Sequence, residues 1–352
     1  MSKYFLKKYI PVYSEGSIIC IGYANKKANY IEIEYNTKNF NLLEKAIKAG
    51  INEAELENSL YVRLFNMGFL EELEHYINIS DINRDKLYFQ YLDNNNLSNT
   101  VLSTDILIFG AGALGSTIAY MFAQSGFNNL TIIDDDIVSQ TDILKSMVLK
   151  KRDIGLSKVE AVYNHIKENF NIEIKYLKKS FIEYDRLKEI IDRYNPKLII
   201  KGCDPDLIFR TNLNKICFEY DIPFIAVAYA FEKLRLGPFY IPGFTDCDES
   251  MNLQQKLAFG EHYEFKNNKK LFVGFLVHPA ISYNINILAS ILLKEIMMYL
   301  TGQYEYCFTI GRYVVFNPLS LDFDYWEMKC NEDCKICKPL RTIQYEDNEL
   351  SN

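Results

Sequence analysis

The chain has 352 residues and a formal net charge of −7, with 49% hydrophobic and 24% charged residues. That is ordinary globular composition, with material for a sizeable core and room for two domains. The acidic balance argues against nonspecific nucleic-acid binding, which calls for a basic face. No run approaches the roughly 18 apolar residues of a membrane span. The opening M-S-K-Y-F-L-K-K lacks a signal-peptide core, so a cytoplasmic protein with neither a membrane nor a nucleic-acid partner is expected.

Residues 1–78 read as a small separate domain. Ser17 to Tyr23 and Tyr30 to Tyr35 predict two strands around the polar turn Ala24 to Asn29. Asn39 to Ala49 and Glu53 to Met67 repeat apolar residues at helical spacing, with Asn52 as a cap. A hairpin with short helices suggests a winged-helix-like module. Residues 79–100, with D-I-N-R-D and L-D-N-N-N-L-S-N, are polar and read as a linker.

From residue 101 the pattern changes. The apolar run Ile106–Phe109 leads into Gly110-Ala111-Gly112-Ala113-Leu114-Gly115. A helical stretch runs from Ser116 to Gln124, then a second apolar run, Leu130–Ile133, ends at Asp134. Strand, glycine turn, helix, strand and acid is the order of a nucleotide-binding βαβ unit. Gly110, Gly112 and Gly115 allow close backbone approach to phosphate, and the helix start offers unpaired N–H groups. Asp134, at the tip of the second strand, is placed to hold ribose hydroxyls.

Further strands are predicted at Ile174–Leu177, Leu198–Lys201 and Phe224–Ala228, with helices at Lys158–Asn169 and Tyr184–Arg193. The fold class is α/β: a Rossmann-like, mostly parallel sheet covered on both faces, at residues 101–340, with a tail at 341–352. G-P-F-Y-I-P-G and the segment Met251 to Lys270 interrupt the alternation before an apolar helix, Ala280–Leu300.

A glycine turn of this kind first suggests a dinucleotide, but the residues after Asp134 point to ATP. D-I-G-L-S-K ends in Lys158 at a helix start, where a lysine can reach a triphosphate. K-G-C-D-P-D places Asp204 at a strand's carboxyl end, on the same edge as Asp134, as an acid for magnesium. The chain has eight cysteines, which in a reducing compartment point to thiols or metal instead of a disulfide scaffold. Three are packed into Cys330-N-E-D-Cys334-K-I-Cys337, and Cys334-x-x-Cys337 has the spacing of a zinc knuckle.

Taken in order, these segments resemble the ThiF/MoeB family of ATP-dependent adenylating enzymes, from residue 79 to about 339. G-A-G-A-L-G is similar to that family's phosphate loop, with Gly110, Gly112, Ala113 and Gly115 as its nucleotide contacts. I-I-D-D-D-I-V is similar to its ribose-binding strand end, with Asp134 and Asp136. D-I-G-L-S-K resembles its lysine motif, and C-D-P-D its magnesium aspartate, Asp204. I-N-R-D-K-L-Y-F-Q resembles the segment that sends an arginine, here Arg84, across a homodimer to the partner's phosphates. The resemblance implies ATP, Mg2+ and Zn2+, the zinc held by Cys247, Cys330, Cys334 and Cys337.

Within the family the likeness is to the branch that modifies the short ribosomal peptide precursor of microcin C. Its N-terminal domain is a leader-binding clamp, and G-P-F-Y-I-P-G-F-T resembles its corresponding segment. That implies nucleotidyl transfer to a peptide with release of pyrophosphate. Two departures stand out. The usual N-x-x-R-Q is Asp142-Ile143-Leu144-Lys145-Ser146, so Lys145 keeps a charge without arginine's fork and Asp142 adds an acid. Cys247-Asp248-Glu249-Ser250 replaces a first C-x-x-C. The catalytic set implied is Asp204, Arg84, Lys145 and Lys158. Activation of a sulfur-carrier protein and a noncatalytic peptide-binding scaffold remain as alternatives.

Overall fold

In a computed structural model, residues 2–22, 30–73, 87–88, 99–203, 207–230, 233–259, 281–328 and 334–337 are described. The chain divides into two compact units, Met1–Ser98 and Asn99–Asn352.

In the first unit, β1 (Lys3–Leu6) is the centre of a small antiparallel sheet, between β5 (Ile51–Asn52) and β6 (Leu70–Glu72). A second sheet is a meander of β2 (Val12–Glu15), β3 (Ile18–Gly22) and β4 (Tyr30–Glu34). The predicted hairpin is the β3–β4 pair, with Ile19 opposite Ile33. Helix α1 (Thr37–Lys48) begins at Asn36, whose side chain accepts from Asn39 N–H at 2.9 Å. The predicted Glu53–Met67 helix is broken in two. A 3-10 turn covers Glu53–Glu57 and α2 covers Ser59–Asn66, because Asn58 is extended and caps Leu60 N–H. Ile21, Ala46, Ile51 and Leu64 are fully buried between the helices and the sheets.

The second unit is built on an eight-stranded sheet in the order β14-β13-β12-β11-β10-β7-β8-β9. Strands β7 (Ile106–Phe109), β8 (Leu130–Ile133), β9 (Lys175–Leu177), β10 (Leu198–Lys201) and β11 (Phe224–Ala230) are parallel. All residues of β7, β8 and β10 are buried, which is why these strands read as unbroken apolar runs. Strands β12 (Lys233–Tyr240), β13 (Arg312–Asn317) and β14 (Asp322–Glu327) extend the sheet in antiparallel fashion.

Helices pack on this sheet in two groups. One contains α4 (Ala113–Gln124), α6 (Lys158–Phe170) and α10 (Ser282–Leu300), after a short α3 (Asn99–Leu102) and α5 (Gln140–Ile143). The other contains α7 (Tyr184–Tyr194), α8 (Leu207–Glu219) and α9 (Asp248–Phe259). Leu107, Phe109 and Ile199 join the core beneath α7 and α8. The chain runs from β7 outward through β8 and β9, then returns to place β10 on the other side of β7. This reversal makes a crevice beyond the carboxyl ends of β7 and β10, the place where open α/β sheets bind ligands.

Candidate active site

The glycine turn occupies that crevice. Gly110 has φ +98°, a conformation that favours glycine. A Cβ on Gly115 would lie 1.9 Å from the Gly110 carbonyl oxygen, so only glycine lets α4 sit this close to the turn. A Cβ on Gly112 would meet nothing within 4 Å, which leaves that backbone open to a ligand. Helix α4 starts at Ala113, three residues before the predicted start, and Gly112 is its N-cap. The first-turn amides of such a helix have no intrahelical acceptor and suit an anion.

Asp134 braces this turn from the next strand. Its Oδ2 accepts from Ala111 N–H at 2.6 Å and its Oδ1 from Asp136 N–H at 2.8 Å. Burial pushes its pKa up, against the pull of those two amide bonds and Lys158.

Lys158 arrives at the start of α6 and is directed into the crevice. Its backbone N–H donates to Asp136 O at 3.0 Å. Its Nζ donates to Asp136 Oδ2 at 2.8 Å and lies 3.6 Å from Asp142 Oδ1. Burial works against the ammonium, yet the hydrogen bond to Asp136 and the charges of Asp142 and Asp134 outweigh it and raise the pKa. Asp142 is buried, and its Oδ2 accepts from the Ser139 N–H at 2.9 Å and hydroxyl at 2.6 Å. Burial opposes its ionisation, but these hydrogen bonds and Lys158 prevail and lower its pKa. Its negative charge is therefore held by Ser139 and Lys158.

Together with Gly110, Gly112, Ala113, Asp134, Asp136 and Asp142, the lysines Lys145 and Lys158 line one cleft of about 290 Å3. Gly202, Cys203, Val227, Ala228 and Tyr229 complete its wall. The sequence reading missed this second group; its signal was position, at the carboxyl ends of β10 and β11. Ser146 anchors the Lys145 segment, its Oγ 3.1 Å from Ser116 Oγ on α4 and accepting from Val148 and Leu149 N–H. Arg84, Asp204 and Cys330 lie outside the described residues.

A separate cluster gathers thiols. The Sγ atoms of Cys247, Cys334 and Cys337 lie within 4.8 Å of one another, and all three residues are buried. Cys247 and Cys334 are 3.4 Å apart, and Cys337 Sγ is 3.9 Å from Asp246 Oδ1. The hydrogen bond from Cys247 lowers the Cys337 pKa, while the same bond raises that of Cys247. Three soft donors so arranged fit zinc.

The ThiF family model matches residues 84–336. The chain belongs to the ThiF family. Among relatives, the molybdopterin-synthase adenylyltransferase of Escherichia coli is 22% identical over 234 residues, 66% of this chain and 86% of that protein. The probable molybdopterin-synthase adenylyltransferase of Gracilaria tenuistipitata is 25% identical over 191 residues, 49% of this chain and 50% of its own. E. coli MccB, crystallised with ATP, aligns with a TM-score of 0.66 at 19% identity, over 95% of this chain and 99% of its own. MccB in complex with N-formylated MccA gives a TM-score of 0.68 at 18% identity, with coverage of 95% and 99%. The expected α/β fold and the expected enzyme class, ATP-dependent adenylyltransferase, are both borne out.

Proposed function

We propose that this enzyme adenylates a ribosomally made peptide. The observation that carries this reading is a groove of about 290 Å3 in the N-terminal unit, between β2 and α1. It is lined by Val12, Tyr13, Tyr35, Phe40, Leu43 and Ile47. Every residue of β2 is exposed, and among the described residues β2 pairs only with β3. An extended peptide adding a strand to β2 would place alternate side chains in this groove. Residues 1–78 are accordingly proposed as the peptide clamp, 79–100 as the linker and 101–340 as the adenylation domain.

At the nucleotide site, the α4 amides, Lys145, Lys158 and Arg84 of the partner subunit would hold the phosphates of ATP. Binding would release Lys158 from Asp136 toward the anion. Asp134 and Asp136 would face the ribose. Asp204 would hold magnesium, whose oxygen ligand preference this acid meets; when bound, the ion supplies neutralisation of the phosphate charge. The acceptor carboxylate forms a bond to the α-phosphorus, and the bond to the bridging oxygen of pyrophosphate breaks with its electron pair. Catalysis is then mainly placement and electrostatics. Zinc, held by Cys247, Cys334, Cys337 and Cys330, would tie the C-terminal segment to the start of α9.

Pooled peptides incubated with ATP and magnesium test the reading. Peptide-dependent pyrophosphate release and a nucleotide mass added to one peptide are expected; no release with any peptide sinks it. A second reading, activation of a sulfur-carrier protein, is favoured by relatives such as the sulfur carrier protein ThiS adenylyltransferase of E. coli. Release that depends on a carrier protein and is unaffected by blocking the groove would select it.

A further inference from the structure

The loop that delivers Lys158 carries a buried acid that the nucleotide chemistry does not use. After the buried Leu149 the chain turns back toward the crevice through a 3-10 turn, Lys151–Asp153. Asp153 is 4% exposed, and its Oδ2 accepts from Lys150 N–H at 2.6 Å. The same oxygen lies 2.7 Å from Nε2 of His165, which is 5% exposed on α6. Arg152 approaches from outside. Its Nη2 lies 3.4 Å from the other ring nitrogen, Nδ1, and also donates to Glu168, while its Nε is 4.0 Å from Asp153 Oδ1. Arginine can only donate, so Nδ1 accepts and the ring proton sits on Nε2, facing Asp153.

Between Asp153 and Lys158 the loop is held by backbone bonds. Leu156 N–H donates to Asp153 O at 2.9 Å, Gly155 N–H to Val138 O at 3.0 Å, and Val138 N–H to Leu156 O at 2.9 Å. Ile137 and Ser157 form an antiparallel bridge, one residue before Lys158 N–H meets Asp136 O. The loop is thus a strap with two fastenings, one to the exit of β8 and one to α6 through His165. Seven residues, about two helical turns, separate Lys158 from His165, so both side chains leave the same side of α6. A buried pair such as Asp153–His165 adds little net stability over apolar packing, because desolvation offsets the attraction. What it fixes is geometry, namely where the strap lies against α6.

We propose that Asp153 and His165 are positioning residues for Lys158, holding the strap so that the ammonium reaches the phosphates of ATP. The inference rests on the reading of Lys158 as a phosphate ligand. Neither Asp153 nor His165 is among the residues that line the cleft, so both act through Lys158 and neither takes part in the transfer. Without His165 the Asp153 carboxylate stays buried with one donor fewer, and the strap is no longer fastened to α6. The loss then falls on the phosphates and spares the base and ribose.

Wild type, His165→Leu, Lys158→Met and the double variant are titrated with ATP and magnesium by calorimetry. Each is also titrated with adenosine, which has no phosphate, by ligand-observed NMR. His165→Leu is expected to lose about fivefold or more in ATP affinity, within the range of couplings between residues of one network. Its adenosine affinity should stay within about twofold, the spread found for independent sites, which also shows that it is folded. In the Lys158→Met background the same substitution should change ATP affinity by less than about twofold, because the side chain it positions is gone. His165→Gln, whose amide keeps a donor for Asp153, is expected to recover most of the ATP affinity. Equal losses for ATP and adenosine, or wild-type ATP affinity in His165→Leu, overturn the proposal. If His165→Leu does not fold, His165→Asn, whose amide stops short of Asp153, is read in its place. An additive loss in the double variant, with Lys158→Met itself impaired, overturns the positioning role alone. Lys158→Met with wild-type ATP affinity removes Lys158 from the phosphates and takes this inference with it.

Discussion

The backbone N–H of Ala111 donates to Oδ2 of Asp134 at 2.6 Å, so an acid expected at the ribose also fastens the phosphate turn from the adjacent strand. The other oxygen is taken by Asp136 N–H. Asp134→Asn keeps the shape but offers one acceptor oxygen for two amide donors. A stability loss of about 1–3 kcal/mol is expected, the cost of one unsatisfied buried donor. A loss of ATP affinity of roughly tenfold or more should accompany it, since a loosened turn no longer presents its amides. Urea denaturation and calorimetric titration with ATP check the two effects separately.

Lys158 and Lys145 should respond differently to substitution. Lys158→Met removes the buried ammonium and is expected to lower kcat/KM by roughly a hundredfold or more, in line with loss of a charge-stabilising group. Lys145→Arg should retain or raise activity, because the guanidinium restores a forked grip on phosphate. Lys145→Ala should lose about tenfold. Steady-state kinetics with varied ATP decide; a Lys145→Ala enzyme with unchanged KM and kcat would remove Lys145 from the site.

The Lys158–Asp142 pair sets a pH window. The Asp142 pKa is lowered below its ordinary 3.8 by Ser139 and Lys158 against the effect of burial, so its contribution is present above that pH and is lost as pH falls through the folded value. The Lys158 pKa is raised above 10.5, so its contribution is complete below that pH and is lost as pH rises through the folded value. Asp142→Asn should therefore flatten the acid side of a Tm-against-pH curve, and Lys158→Met the alkaline side.

The thiol cluster is expected to hold one zinc per chain, read by elemental analysis of the purified protein. Cys334→Ser and Cys337→Ser should lose the metal and lower Tm, because metal binding to such a site contributes folding free energy. Cys330→Ser should behave alike if it is the fourth ligand. Zinc-free wild type with an unchanged Tm after chelator treatment would show the thiols to be packing groups.

Glu295 offers a test of the fold apart from the site. It is fully buried on α10, and its Oε2 accepts from Thr309 N–H at 2.9 Å and the Thr309 hydroxyl at 2.6 Å. Lys294 Nζ meets Oε1 at 2.8 Å. Glu295→Leu strands the buried Thr309 donors and is expected to cost about 1–3 kcal/mol for each donor left unsatisfied. Glu295→Gln, which keeps an acceptor for Thr309, should cost less; equal losses in urea would contradict this assignment.

Strands β7, β8 and β10 were legible in the amino-acid order because each is buried on both faces. Ile106–Phe109, Leu130–Ile133 and Leu198–Lys201 appear as short apolar runs, and the glycine turn with Asp134 is marked by spacing alone. The antiparallel half was not. In β12 the sequence G-P-F-Y interrupts the alternation, yet its strand pairs β11 on one side and β13 on the other. In β14, D-F-D-Y-W-E is wholly exposed, so no burial pattern marks it. The charge of Asp142, which looked hostile to phosphate, is held by Ser139 and Lys158 through contacts that only folding creates. Local order thus determined the nucleotide turn and the family, since both are carried by residues close in the chain. Tertiary structure alone decided what joins across it: Lys158 with Asp142, and Gly202, Cys203 and Ala228 with the glycine turn. Those groupings depend on strand order and register, which bring residues together only when the sheet is assembled.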